Sequence, residues 1–201
     1  MTLRLQKLAG RQIATHLSAL ADLRIRVFRD WPYLYEGSRD YEAHYLEVYL
    51  DCPRSLCVLA WDGERCVGAS TCLPLADALP DMQQPFVEQG MDLSRIDYFG
   101  ESVLLREYRG RGLGVAFFAE REAHARGLGL SLCAFCAVDR DADDPRRPAG
   151  YAGNDAFWSK RGYRQQPQLR STFSWPDIGQ SQHSDKSMTF WMRDLSEEPS
   201  A

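Results

Sequence analysis

The stretch REYRGRGLGVAFF, residues 106–118, places glycines at 110, 112 and 114, with Arg109 and Arg111 set among them. An apolar run, YFGESVLL (98–105), precedes it. A run with apolar periodicity, GLGVAFFAEREAHARGLG (112–129), follows and closes on glycines. This spacing predicts a strand over 97–105, a sharp turn and a helix over 112–129. A second apolar run, SLCAFCAV (131–138), predicts another strand. Strand, helix and strand within about forty residues form a parallel βαβ unit with a right-handed crossover.

The glycines narrow the chemistry by exclusion. A nucleotide-hydrolysing P-loop requires Lys and Ser or Thr after its last glycine, and neither follows here. A dinucleotide fingerprint requires a third glycine or an alanine, where this chain has Val115 or Phe117. What remains is a backbone cradle. Glycine lets successive N–H groups turn into one concavity. The positive end of the helix and the two arginines then favour an anion such as a pyrophosphate.

Outward from this centre, LRLQKL (3–8) alternates as a short strand. Residues 11–29 carry apolar side chains at helical spacing, and a second helix is expected after Ser38, a good N-cap, with Pro53 beyond its end. Two β-prone runs on either side of Asp62-Gly63 read as a hairpin. The 76–96 connection is long, and QQPFVEQG within it suggests a short helix. LRSTFSW and SMTFWMRDL form a last antiparallel pair. The class is α+β with one largely antiparallel sheet. The chain reads as a single domain over 1–195 with a short flexible tail at 196–201.

Composition sets the outer limits. The chain has 201 residues, 44% hydrophobic and 26% charged, with a net charge of −4. No basic stripe is present, so nucleic acid is not an expected partner. No apolar stretch is long enough to span a membrane, and the N-terminus lacks the apolar core of a secretion signal, so a cytoplasmic location is expected. The six cysteines fall in or beside strand-like runs, as small reduced core residues do. Cys133 and Cys136 form a CxxC, but three residues along a strand point to opposite faces, and no metal site is expected.

A second motif lies about forty residues after the first: NDAFWSKRGY, containing Asn154, Phe157, Trp158, Gly162 and Tyr163. Together with the R-x-x-G-x-G pattern of Arg109, Gly112 and Gly114, it resembles the GCN5-related N-acetyltransferase (GNAT) superfamily over nearly the whole chain. The resemblance implies a mixed, mostly antiparallel sheet whose central strands splay apart, flanked by helices. It implies acetyl-CoA as co-substrate, with no metal. Its pyrophosphate would rest on Arg109, Gly110, Arg111, Gly112, Leu113 and Gly114. Its pantetheine arm would pair with the backbone of Val103, Leu104 and Leu105, as an added strand does. Asn154 would reach the pantetheine or phosphate end, and Trp158 would pack against the thioester.

The implied reaction is attack of a primary amine on a thioester, which needs a base. Glu101, an acidic residue in an otherwise apolar strand, is the candidate, because burial would raise its pKa. Trp158 stands where many relatives have a tyrosine acid, and indole cannot protonate a thiolate usefully. Water, Ser159, Tyr151 and Tyr163 remain open as the acid, with Tyr163 the leading side chain, as does a thiolate that leaves readily without one. A small-molecule amine would meet Trp31, Tyr33 and Tyr35, whose ring faces suit a cation. Acidic residues of the 76–96 and 139–151 segments would also face it. A homodimer is compatible with this reading. The alternative is a non-catalytic acyl-CoA-binding module of the same fold, favoured only by Trp158.

Overall fold

The computed structural model describes residues 3–197. Seven strands form one sheet: β1 (Leu3–Leu8), β2 (Leu56–Asp62), β3 (Arg65–Pro74), β4 (Ile96–Leu104), β5 (Leu132–Val138), β6 (Arg164–Trp175) and β7 (Ser184–Asp194). Their spatial order is β1-β2-β3-β4-β5-β7-β6. Only β4 and β5 run parallel; every other neighbouring pair is antiparallel. The expected α+β class with a mostly antiparallel sheet is therefore what the chain adopts. Around the sheet lie α1 (Leu17–Phe28), α2 (Arg39–Asp51), α3 (Pro80–Glu88), α4 (Leu113–Gly127) and α5 (Asp155–Ser159).

Local chemistry accounts for most of these boundaries. The Ser38 hydroxyl accepts from the Tyr41 N–H and opens α2, as an N-cap should. Gly63, at φ +58°, turns the β2–β3 hairpin. The helix expected over 11–29 divides in two: residues 10–16 form a 3₁₀ segment, and the α-helix begins only after His16, which sits at φ −123° outside the helical region. The last hairpin begins earlier than expected, at Arg164 rather than Leu169. Its pairing shifts register between Gln166 and Arg170. Pro167 has no N–H to donate, and a bulge on an edge strand tolerates it.

The two faces of the sheet are occupied differently. A Cβ at Gly68 would meet Phe117 of α4 at 3.2 Å, whereas Thr71, three residues on, bonds to β4 on the face covered by α2. Residues three apart on a strand face opposite ways, so α4 covers one side and α1 with α2 the other. The same alternation separates the CxxC: Cys133 is fully buried, while Cys136 lies 3.4 Å from the Tyr98 hydroxyl, and all six cysteines are free. Among the described residues no helix is long and apolar enough to cross a membrane, and no group of three or more His, Cys, Asp or Glu could hold a metal ion. Of the expected tail, Ser196 turns back through its N–H to Asp194, and residues 198–201 lie outside the described residues.

Candidate active site

The parallel pair at the centre of the sheet is short. β4 meets β5 only over Ile96–Tyr98 against Leu132–Ala134. From Phe99 onward β4 pairs only with β3, and from Phe135 onward β5 pairs only with β7. The strands part there and leave a gap with an unpaired strand edge. Val103 and Leu104 lie along it, paired on their other side with Ala69 and Gly68. Leu105 has just left the strand; its N–H donates to the Val67 carbonyl at 3.0 Å.

At the foot of the gap sits a bulge. Ser70 faces Ser102 and Cys72 faces Phe99, so Thr71 alone opposes both Gly100 and Glu101. The extra residue puts Gly100 and Glu101 on one face, toward α1 and α2. A side chain at Gly100 would overlap the Tyr49 hydroxyl and come within 2.8 Å of the Thr71 hydroxyl oxygen. Glycine is required there by the close approach of α2.

Glu101 is 2% exposed. Its Oε2 accepts from Arg24 at 2.6 Å, and its Oε1 is buried with no hydrogen-bond partner. Burial pushes its pKa above the ordinary carboxylate range, and Arg24 only partly opposes this. Arg24, itself buried, also donates to Glu42, which is fully buried on α2. One guanidinium thus stands between two carboxylates, stacked over Tyr45 at 4.1 Å. Sequence reading had missed Arg24 and Glu42. Their signal is a charged residue on each helix's buried stripe: Arg24 with Leu20 and Ala21, Glu42 with Leu46 and Tyr49.

Beside this triad opens a cavity of about 90 Å³, with Arg24 and Gly100 in its lining. Its walls are aromatic: Phe28, Tyr33, Tyr35, Tyr45, Tyr98 and Trp175 among them. Two of the three expected acceptor residues, Tyr33 and Tyr35, are here. Trp31 is not; it packs edge-to-face on Tyr151 at 6.2 Å. Of the loop carboxylates expected nearby, two are engaged elsewhere: Asp77 binds Arg54, and Asp144 binds Arg146. The acidic groups close to the cavity are instead Glu42 and Glu101, held behind Arg24.

The glycine stretch forms the turn into α4. Gly110 and Gly112 take φ of +75° and +83°, and nothing lies within 4 Å of where a Cβ would stand on either. Gly112 is the N-cap, so the first N–H groups of a 15-residue helix face outward without a capping side chain. Leu113 buries its side chain and offers the cradle only its backbone. Arg109 and Arg111 are exposed; Arg109 Nε donates to the Leu104 carbonyl, and Arg111 stacks on Tyr108 at 5.0 Å. Gly114 has a different reason: a Cβ there would press on Phe157 of α5 at 3.2 Å. An open, left-handed, glycine-lined helix start fits a pyrophosphate group.

The second motif separates into different tasks. Asn154 is exposed and opens α5 through its carbonyl, with no side-chain cap bond. Trp158 is half-buried, edge-on to Phe135 and Trp191 at 5.0 and 5.1 Å, on strands beyond the gap. Tyr163, expected as the leading acid, is 1% exposed, and its hydroxyl donates to Glu122 of α4 at 3.1 Å. Glu122 also accepts twice from Arg193 at 2.8 Å. Burial raises the Tyr163 pKa well above its ordinary value. The phenol ties the turn before β6 to α4, where Glu122 also holds Arg193 of β7, and this engaged, buried hydroxyl speaks against the acid role expected of Tyr163.

Solved structures share this layout. An aminoglycoside 6'-N-acetyltransferase complexed with coenzyme A superposes with a TM-score of 0.58 at 15% identity, covering 100% of both chains. The ribosomal-protein-S18-alanine N-acetyltransferase from Escherichia coli gives 0.59 at 11% identity, over 98% of this chain and 96% of its own. yncA from Salmonella typhimurium, with its cofactor acetyl-CoA, gives 0.57 at 10% identity, over 100% and 98%. At such identities the likeness speaks for the fold. No curated protein sequence matches the chain. The family model for the GNAT acetyltransferases matches residues 20–149, which include most of α1, the bulged strand and the glycine cradle, and the chain belongs to that family.

Proposed function

We propose that this protein transfers an acetyl group from acetyl-CoA to the primary amine of a small molecule by direct attack. The observation that carries this reading is one alignment: the open cradle at Gly110–Gly112, the unpaired β4 edge and the aromatic cavity are consecutive along β4 and the turn after it. The cradle and Arg109 would hold the pyrophosphate. The β4 edge at Val103–Leu105 would pair with the pantetheine amides, and Asn154 and Trp158 would border that arm. The thioester carbonyl would then lie near the bulge.

In the reaction the amine nitrogen bonds to the carbonyl carbon and the carbon–sulfur bond breaks. The electron pair leaves on sulfur as a thiolate, and the ammonium proton passes to Glu101, whose free Oε1 can accept it. A backbone N–H of the unpaired edge would stabilise the carbonyl oxygen. With a thiol pKa of about 8.5, the leaving group needs no dedicated acid near neutral pH.

The second reading, a non-catalytic acyl-CoA-binding module, has one observation behind it: Glu101 already shares Arg24 with Glu42. Thiol release from acetyl-CoA over an amine panel separates the two readings. Tight CoA binding without turnover would favour the module. Gly112→Val tests the cradle. A Cβ at φ +83° is strained by about 1–2 kcal/mol and would project into the open concavity. CoA affinity is expected to fall at least tenfold, measured by titration calorimetry, in a variant that stays folded by circular dichroism. Unchanged affinity would place the pyrophosphate elsewhere.

A further inference from the structure

The cavity restricts the chemistry of the acceptor, granted the acetyl transfer proposed above. Three observations bear on it. First, the walls are mostly aromatic or thioether: beyond the rings already named, Tyr41, Phe173, Met82 and Met188 line them, with Cys136. Second, the one charged group that lines the cavity, Arg24, is already neutralised. It bonds Glu42 and Glu101, and all three groups are at most 7% exposed. Third, the uncharged polar tips in the walls are the phenol hydroxyls of Tyr33, Tyr35, Tyr41, Tyr45 and Tyr98 and the Cys136 thiol, each at the edge of an apolar side chain. Tyr98 shares its hydroxyl with Cys136, and the Tyr35 hydroxyl is buried without a partner.

A carboxylate beside the reacting amine would be a third anion on one guanidinium, in a site where burial strengthens the repulsion. A sugar or polyol would lose the hydration of several hydroxyls against ring faces, with only scattered phenol hydroxyls at their edges to replace it. An ammonium on a hydrocarbon arm meets neither cost. Its charge lies over electron-rich rings and near a triad with one net negative charge, and its body displaces water from apolar walls.

We propose that the acceptor is a primary amine on an apolar body, of the short arylalkylamine kind, with no carboxylate and no hydroxyl-rich ring beside the amine. Arg24 is then a specificity residue whose charge is masked by Glu42.

The test compares 2-phenylethylamine, phenylalanine, glucosamine and spermidine by thiol release from acetyl-CoA. The expected kcat/KM for 2-phenylethylamine exceeds each of the others at least 100-fold. Glu42→Gln unmasks Arg24 and should narrow the preference over phenylalanine at least tenfold. Preference for any of the other three amines overturns the proposal while leaving acetyl transfer intact. An undiminished preference in a folded Glu42→Gln protein overturns the role of Arg24. Absence of turnover on every amine defeats the transferase reading itself. The cavity is then judged by titrating the same amines into the CoA-loaded wild-type protein. Binding of 2-phenylethylamine at least tenfold tighter than the others upholds the proposal, and equal or weaker binding overturns it.

Discussion

Two buried carboxylates on β4, Glu101 and Asp97, show how neighbours decide what a charge can do. Both are desolvated, but Glu101 faces Arg24 on the cavity side. Asp97 is fully buried with neither carboxylate oxygen hydrogen-bonded. For Glu101, replacement by Gln keeps the shape and removes the proposed base. We expect kcat/KM to fall by about 10²–10³, the usual range for losing a positioned base, with CoA affinity unchanged. The wild-type rate should fall as pH drops through a pKa above the ordinary glutamate range, because the protonated carboxyl cannot accept the amine's proton. That limb should vanish in the Gln variant. For Asp97, burial raises the pKa from 3.8 to about 7. The folded state therefore prefers the protonated form. The resulting stability is fully present below about pH 4 and is lost as pH rises toward 7. Asp97→Asn lacks this titration. Relative to the wild type, its stability should climb between pH 4 and 7, reaching an advantage on the order of a few kcal/mol and raising its melting temperature accordingly. Parallel melting curves across that range would show that Asp97 ionises as freely folded as unfolded.

At the scale of elements, the bulge on β4 determines which side chains meet the cavity. It depends on Gly100, because α2 brings Tyr49 against the strand. Gly100→Ala should destabilise the fold by about 1–3 kcal/mol, as overpacking does. Tyr49→Phe should recover part of the loss in the double variant, since the hydroxyl is the nearest obstacle. No recovery would mean that the backbone, and not the phenol, resists the change. The bulge also marks where sequence reading stops. Strand alternation in LRLQKL, the Asp62-Gly63 turn and the Ser38 cap were legible because each is a local rule acting on neighbouring residues. The glycine cradle was legible for the same reason. FGES carries no such signal: whether Glu101 follows the pleat or shares a face with Gly100 depends on Thr71 opposite, thirty residues away. Tyr163 drew attention because a phenol near a motif looks chemical until its hydroxyl is seen to bond Glu122, which Arg193 also holds. Arg24 and Glu42 could have been read as charges on apolar stripes, but only the fold shows that they answer each other.

Across the whole molecule, the cavity is assembled by segments distant in the chain, and one carboxylate binds several of them. Asp177, 4% exposed, accepts from Arg140 at 3.0 Å and Arg146 at 2.7 Å, and Lys186 lies 3.3 Å away. Arg140 donates in turn to the carbonyls of Pro32 and Tyr33, both at 2.8 Å, and the Trp175 indole also donates to Tyr33. The clamp thus joins the loop after β5, the β6–β7 hairpin and the loop carrying Tyr33 and Tyr35. Within that last loop Leu34 sits at φ +53°, a conformation leucine keeps only where its surroundings over-determine it. Burial works against the Asp177 carboxylate, but the bonds from Arg140 and Arg146 outweigh it and hold the pKa down to about 2. A depressed carboxylate loses its contribution only as pH falls through that value, so mild acid will not open the clamp. Substitution will. Asp177→Asn keeps the shape but removes the charge that three cations share. It should cost about 2–3 kcal/mol of stability, a fall in melting temperature of roughly 5–10 °C. The informative change is kinetic. Tyr33 and Tyr35 would lose their fixed positions, so the KM for the amine should rise about tenfold or more, as an orienting wall loosens. The dissociation constant for CoA, whose cradle lies at the start of α4 and shares none of these bonds, should stay within about twofold. A lower melting temperature with an unchanged amine KM would mean that the clamp serves stability alone.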